Sequence, residues 1–434
     1  MCCIIKSRGA VLRHWPFQNA LFCTLFFLIF GCTPPPSGAS ENAKQTHSTR
    51  NDVPSRQISS DSITGRLPQI AGIPAAILDK AELHLEWSSR LPMGRAKSIN
   101  RFFIHDRQLY ALNDHNLLLA LDAEKGTVIW SQVLGPPIFA CSSAAFYQDS
   151  LLFVVGKTFI QVRRKDGQIL QRQELAFPVT TGPARTQDRL FVGSSDKRFY
   201  SLRITDGIPL WQNLCEQEPV GTVTVAGNKV YFVTKSNILY VSSLLNRREV
   251  WSFQTAGLLL GVVIDGKQCF LPSGDTALYC LDCDTGRLLW KYLAGGSLSE
   301  LPILTERFAY QPVQHKSLLC LDRNPDKQAG SLRWELENGL CFLAENGSVS
   351  YAMTQNRELT LMNNLNGKAV LSFYVQNMDL YVPNSESAMI FLGNKSGAII
   401  ALKPNRIEAP SVPAAETAPE VKPPAEPESA EPNE

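Results

Sequence analysis

Hydrophobic residues in the middle of the chain fall in short runs that keep returning in one frame. "LLLALDAEKGTVIW" (117–130), "FYSLRITDGIPLW" (199–211), "LYCLDCDTGRLLW" (278–290) and "LTLMNNLNGKAVL" (359–371) each hold an apolar strand and a polar turn closed by Gly. A second short strand then ends on an aromatic or apolar residue. Weaker copies occupy 159–171 and 239–251, and a copy at 318–334 has four extra residues in its turn. The closing positions, Trp130, Gln171, Trp211, Trp251, Trp290, Trp334 and Leu371, lie 37 to 44 residues apart. A period near forty built of short strands predicts a β-propeller.

Two further strands precede each motif, as in "DRLFVGSS" (188–195), "NKVYFVTK" (228–235) and "SAMIFLGN" (387–394), with "GTVTVAG" (221–227) or "GLLLGVVIDG" (257–266) before them. Gly-Asn and Asp-Gly pairs between them suit tight hairpins. Each repeat is thus a four-stranded antiparallel blade. At the ends, "GAIIALKP" (397–404) is a motif strand with no closing strand, and "ELHLEWSSR" (82–90), with Trp87, is a closing strand with no motif. Joined, they make an eighth blade and remove the exposed edges of an open ring. The expected fold is all-β, an eight-bladed propeller over 80–404 closed by its N- and C-terminal strands.

The flanks read differently. Lys6, Arg8 and Arg13 precede the apolar run "ALFCTLFFLIFG" (20–31), which is too short to span a bilayer and suits a signal peptide over 1–31. The run ends at Gly31-Cys32 followed by "TPPPSGAS", which resembles the lipobox of bacterial lipoproteins, although Phe30 is bulkier than that pattern takes. This makes Cys32 the expected lipidated residue. Residues 32–79 are rich in Ser, Thr, Pro and Asn and read as a flexible tether. Residues 405–434, rich in Pro, Glu and Ala, read as a disordered tail. The net charge of +2 is modest, and no dense Lys/Arg cluster with aromatics appears, so no nucleic-acid partner is expected.

Candidate chemistry changes this picture little. Cys280 and Cys283 stand in C-x-x-C spacing, which suits a redox dithiol or half a zinc site. By register, however, Cys280 takes the place of Ala120, Ser201 and Cys320, and Cys283 that of Ala123. Asp282 and Gly286 recur as Asp122 and Gly126 and belong to the turn. "GVVIDGKQ" (261–268) imitates a phosphate-binding loop but ends in Gln268 instead of a hydroxyl, and "DCDTG" imitates a calcium loop with Leu293 where the carboxylate is needed. His84, His105, His115 and His315 are scattered, and no G-x-S-x-G elbow occurs. Seven cysteines remain in the domain, an odd number that cannot all pair, and they read as small core residues. No catalytic, cofactor or metal residue is assigned, and the chain is expected to be a non-enzymatic binding scaffold.

The Asp-x-x-x-Gly turn with Trp four residues on resembles the PQQ-type β-propeller repeat over about residues 80–404. That superfamily includes quinoprotein dehydrogenases and non-enzymatic members. The dehydrogenases carry a vicinal cysteine pair near the cofactor, whereas the only adjacent cysteines here are Cys2 and Cys3. Size, blade count and lipid anchor resemble the BamB family of outer-membrane assembly lipoproteins more closely. The resemblance implies a monomer within a complex, anchored in the outer membrane facing the periplasm, with a BamA-like barrel protein as partner. In that family an L-x-L-R stretch contacts the partner. By register it falls on Leu175, Ala176, Phe177 and Pro178, where Pro178 replaces the Arg, so Leu175 and Phe177 are the candidate contacts. The alternatives are a ligand-binding or surface-exposed propeller lipoprotein, or a quinoprotein-type dehydrogenase.

Overall fold

The computed structural model describes residues 71–94, 97–246, 248–323 and 329–407. They form eight four-stranded antiparallel sheets arranged as the blades of a ring. Blade 1 runs through Ile99–His105, Gln108–Asn113, Leu117–Asp122 and Val128–Val133. Blades 2 to 7 follow in order over 145–174, 184–214, 219–254, 263–293, 303–337 and 339–374. Blade 8 takes Leu380–Val382, Ile390–Gly393 and Ala398–Pro404 from one end of the chain and Leu83–Arg90 from the other.

The burial patterns explain the order. Second and third strands are apolar on both faces, such as Ser150–Val155 and Leu117–Asp122, because each blade is sandwiched between two neighbours. Outer strands read exposed at their first two positions and bury the closing residue. Apolar clusters accordingly lie between successive blades.

The closing tryptophans share one register. Trp130 sits opposite Ala120, Trp211 opposite Ser201, Trp290 opposite Cys280 and Trp334 opposite Cys320. Trp87 sits opposite Ala401, so the terminal strands pair as an ordinary repeat does within one hairpin. The expected ring closure is what the fold shows.

Two segments depart from the sequence reading. Residues 71–79, read as the end of the tether, are folded: Ala75–Lys80 is a short helix (α1), and Ala71, Ile73 and Leu78 are buried. Because blade 8 draws its third and fourth strands from opposite chain ends, it has no connecting turn for blade 7 to pack on. Ile73, Ile77 and Leu78 join the apolar cluster that holds Leu371, the residue standing where every other blade but blade 2 has Trp. The second departure is in blade 5, where the strand expected across 257–266 is confined to Val263–Asp265. Gly261 adopts φ +149; Leu259 before it makes only an isolated bridge to Ser273 of its own blade, and Leu260 turns to blade 4, its carbonyl accepting from Thr222 N–H at 2.9 Å. The stretches expected to be signal peptide, most of the tether and nearly all of the tail lie outside the described residues.

Candidate functional site

The ring is held by contacts that repeat from blade to blade. Trp87 donates its indole N–H to the Ala123 carbonyl at 2.9 Å, Trp130 to Arg164 at 2.6 Å, Trp211 to Leu244 at 3.3 Å and Trp251 to Cys283 at 3.1 Å. Trp334 donates to the side-chain oxygen of Asn364 at 2.8 Å, the residue at the same turn position. The turn's first residue fixes that geometry: Asp282 accepts from the backbone N–H groups of Asp284 and Thr285. Gly286 supplies the positive φ, +71°, that ends it under the Trp251 ring. Cations add to this frame. Arg164 pairs with Asp106 of blade 1 at 2.7 Å, and Arg323 pairs with Asp265 of blade 5. The result is a rigid scaffold on which loops are set.

The C-x-x-C pair belongs to this frame. Cys280 packs in the cluster between blades 5 and 6, and Cys283 in the cluster between blades 4 and 5, so the two side chains lie on opposite faces of the blade. Burial pushes the Cys280 thiol up to about 12 and raises that of Cys283 as well, the reverse of a reactive thiolate. Cys215, Cys269 and Cys320 are buried and unpaired. Among the described residues, no group of three His, Cys, Asp or Glu side chains is placed to hold a metal ion.

The stretch 175–178 lies in the loop from blade 2 to blade 3. Leu175 is 3% exposed and packs between those blades, which takes it out of reach of a partner. Phe177 is half-buried and stacks on Tyr200 with ring centroids 4.1 Å apart. Ala176 and Pro178 are exposed. Cys32 is outside the described residues.

Interblade loops gather on one face of the ring, and there the structure places two features that the repeat pattern did not reveal. The first is the loop after blade 1, Pro136-Pro137-Ile138-Phe139-Ala140, in which all five residues are exposed and Ile138 reaches 82%. Its base is fixed because Asn116 donates its amide to the carbonyls of Pro136 and Phe139. The second is a cavity of about 720 Å3 beside it, walled by the inner loops of blades 2 to 6. Its walls are stitched by interblade hydrogen bonds: Gly182 N–H to the Gly221 carbonyl, Thr222 N–H to Leu260, and the Thr180 hydroxyl to Pro219. Hydroxyls of Ser143, Thr181, Thr222 and Ser299 line it, together with one charged side chain, Glu300. The Cys141 thiol, also in the wall, is pushed up to about 12 by burial.

The family model described as "Outer membrane protein assembly factor BamB" matches residues 157–260 and 246–372. The chain is a PQQ-type β-propeller resembling BamB. BamB from Moraxella catarrhalis superposes with a TM-score of 0.57 at 12% identity, covering 74% of this chain and 97% of that one. The computationally designed Ika8 protein gives 0.56 at 12% identity over 72% of this chain and 98% of its own. The C-terminal WD40 domain of Sif2 gives 0.56 at 9% identity over 74% and 98%. These likenesses establish the fold, which BamB shares with a designed protein and a WD40 domain. No curated protein matches the chain in sequence. Among the described residues, no helix is long and apolar enough to cross a membrane.

Proposed function

We propose that this chain is a non-enzymatic lipoprotein scaffold, anchored through Cys32 to the outer membrane and facing the periplasm, that docks a BamA-like barrel protein during outer-membrane protein assembly. The observation that carries the reading is the exposed loop 136–140 on the loop-bearing face of a BamB-like propeller. An apolar tip fixed at its base loses little entropy on binding, as an anchor residue at an interface requires. Phe177, Ala176 and Pro178 lie in the next interblade loop and extend the same contact region.

The test is cross-linking and capture from native membranes with the full chain and with Ile138→Asp/Phe139→Asp. Capture of a BamA-like barrel by the wild type, lost in the variant while its circular dichroism and melting stay unchanged, supports the reading. A prey set without any such barrel, or equal capture by the variant, overturns it. Anchoring is tested by Cys32→Ala, which is expected to leave the membrane fraction. The non-enzymatic part predicts no dye-linked alcohol or sugar oxidation after addition of pyrroloquinoline quinone and calcium.

A further inference from the structure

The cavity beside loop 136–140 holds a carboxylate that the fold itself leaves without a counter-ion. Among the described residues, the Glu300 carboxylate has neither an ion pair nor a side-chain hydrogen bond, while its backbone carbonyl accepts from the Gln311 amide at 3.1 Å. Acidic groups at the blade seams are engaged elsewhere: Asp106 with Arg164, Asp265 with Arg323, Asp284 with Lys229. The basic side chain that reaches the cavity rim, Arg101, spends its guanidinium on the carbonyls of Cys141 and Ser142, at 2.7 and 3.0 Å. Every other lining side chain is neutral. Glu300 is therefore the one formal charge among the lining side chains, with the Arg101 cation held at the rim by neutral carbonyls, and a carboxylate beside low-dielectric walls concentrates an opposite charge.

We propose that this cavity is a recognition site for an organic cation, with Glu300 as counter-ion to its ammonium or guanidinium group. The volume is within the range of ligand pockets, roughly 300–1,000 Å3. The lining hydroxyls and backbone oxygens supply acceptors for the remaining N–H groups of such a cation. The stitched walls pre-organise the site, so binding does not require the blades to rearrange. Although water reaches Glu300 from the cavity mouth, the surrounding protein raises its carboxyl above the ordinary glutamate value, and no other group opposes that shift. A bound cation would relieve this cost.

The site does not depend on the partner reading, because its ligand chemistry follows from the cavity alone. The experiment uses the full chain, methyl-labelled at Val, Leu and Ile, titrated with pentane-1,5-diamine and, separately, with a capped pentapeptide carrying one lysine. The N-acetylated forms of both probes serve as neutral controls. Saturable shifts confined to Val154, Val179, Leu260 and Leu301, absent with the acetylated probes and weakened at least tenfold in Glu300→Gln, are expected. Glu358→Gln, an exposed glutamate in a blade 7 hairpin on the same face, should titrate as the wild type. Saturation by the diamine identifies a small free cation, and saturation by the peptide alone identifies a cation carried on a protein. No saturable shift with either ammonium probe, or unchanged binding in Glu300→Gln, overturns the proposal.

Discussion

The indole N–H of Trp251 meets the carbonyl oxygen of Cys283 at 3.1 Å, across the seam between blades 4 and 5. The same oxygen accepts Lys229 Nζ at 2.9 Å and the Tyr231 hydroxyl at 3.3 Å. Three side chains of one blade thus fix one peptide group of the next. The turn can offer that oxygen only because Gly286 lets the chain reverse beneath the Trp251 ring.

Substituting that glycine should therefore cost more than the strain of its φ. A Cβ on Gly286 would come within 2.6 Å of the Trp251 ring, whereas one on Gly266, at φ +55°, would meet nothing within 4 Å. Gly266→Ala should lose about 1 kcal/mol from backbone strain. Gly286→Ala should lose roughly 2–4 kcal/mol, because the ring must also move. Urea unfolding measures both, and equal losses would show that the indole contact contributes nothing.

The tryptophans should not be equivalent. Trp130 donates to the Arg164 carbonyl, while the buried indole nitrogen of Trp290 has no hydrogen-bond partner among the described residues. Trp130→Phe and Trp290→Phe both lose ring volume, but only the first loses a hydrogen bond. The first should be the more destabilising by about 1 kcal/mol. Thermal melts of the two variants decide the matter, and indistinguishable melting temperatures would remove the hydrogen bond from the account.

The parts of the fold legible in sequence are those set by local chemistry. The Asp-to-Gly turn and its closing residue recur because each blade presents the same docking surface to the next, and so the strand 82–90 with Trp87 could be joined to 397–404 across the whole chain. Helix α1 was not legible: it replaces a turn that blade 8 lacks, so no repeat announces it, and its six residues are too few for a helical period. The cavity was hidden for a different reason. Ser143, Thr181, Thr222 and Ser299 lie one or two repeats apart along the chain, and only the closed ring brings them around Glu300. Leu175 was ambiguous in the sequence, since an apolar residue entering an interblade loop is as useful to the core as to a partner, and the structure buries it.

Acid should act on the seam between blades 6 and 7 through Glu345. Its carboxylate accepts the Tyr310 hydroxyl at 2.9 Å, within a buried network of Tyr310, Ser350, Asn364 and Trp334. Burial raises its carboxyl above the ordinary 4.5, outweighing the hydrogen bonds from Thr305 and Tyr310 and the charge of Arg307. A carboxyl whose folded pKa lies above its unfolded one binds its proton more tightly in the native state. Its ionised form therefore destabilises the fold at neutral pH, and stability is regained as pH falls through the folded pKa toward 4.5. Glu345→Gln keeps an acceptor for Tyr310 without the charge. Relative to this variant, the wild type should gain stability between neutral pH and that lower limit. Glu300 is also raised by burial, but it is present in both proteins and cancels in the difference. Parallel pH profiles for the two proteins would exclude Glu345 as the titrating group.

Helix α1 should behave as part of the ring and not as the end of a tether. Gln376 N–H donates to the Ala71 carbonyl at 2.7 Å, beside the hairpin end of blade 7, and the segment then runs to Leu83, where the closing strand begins. Ile73 and Leu78 are buried at 3% and 9% exposure in the cluster around Leu371. Burying two aliphatic side chains of this size stabilises by roughly 3–6 kcal/mol before the entropy of ordering the segment is subtracted. A net loss of about 2 kcal/mol is therefore expected for a chain that begins at residue 82 instead of 71. For a domain of this size that lowers the melting temperature by several degrees, at roughly 2–4 °C per kcal/mol. Removing 408–434 should leave it unchanged. Trp87→Ala in the full chain should lose roughly 3–5 kcal/mol, because it empties the site between the closing strand and the Ala123 turn. If the chain beginning at 82 melts with the one beginning at 71 while Trp87→Ala still destabilises, the closing strand alone seals the ring and α1 merely lies on it.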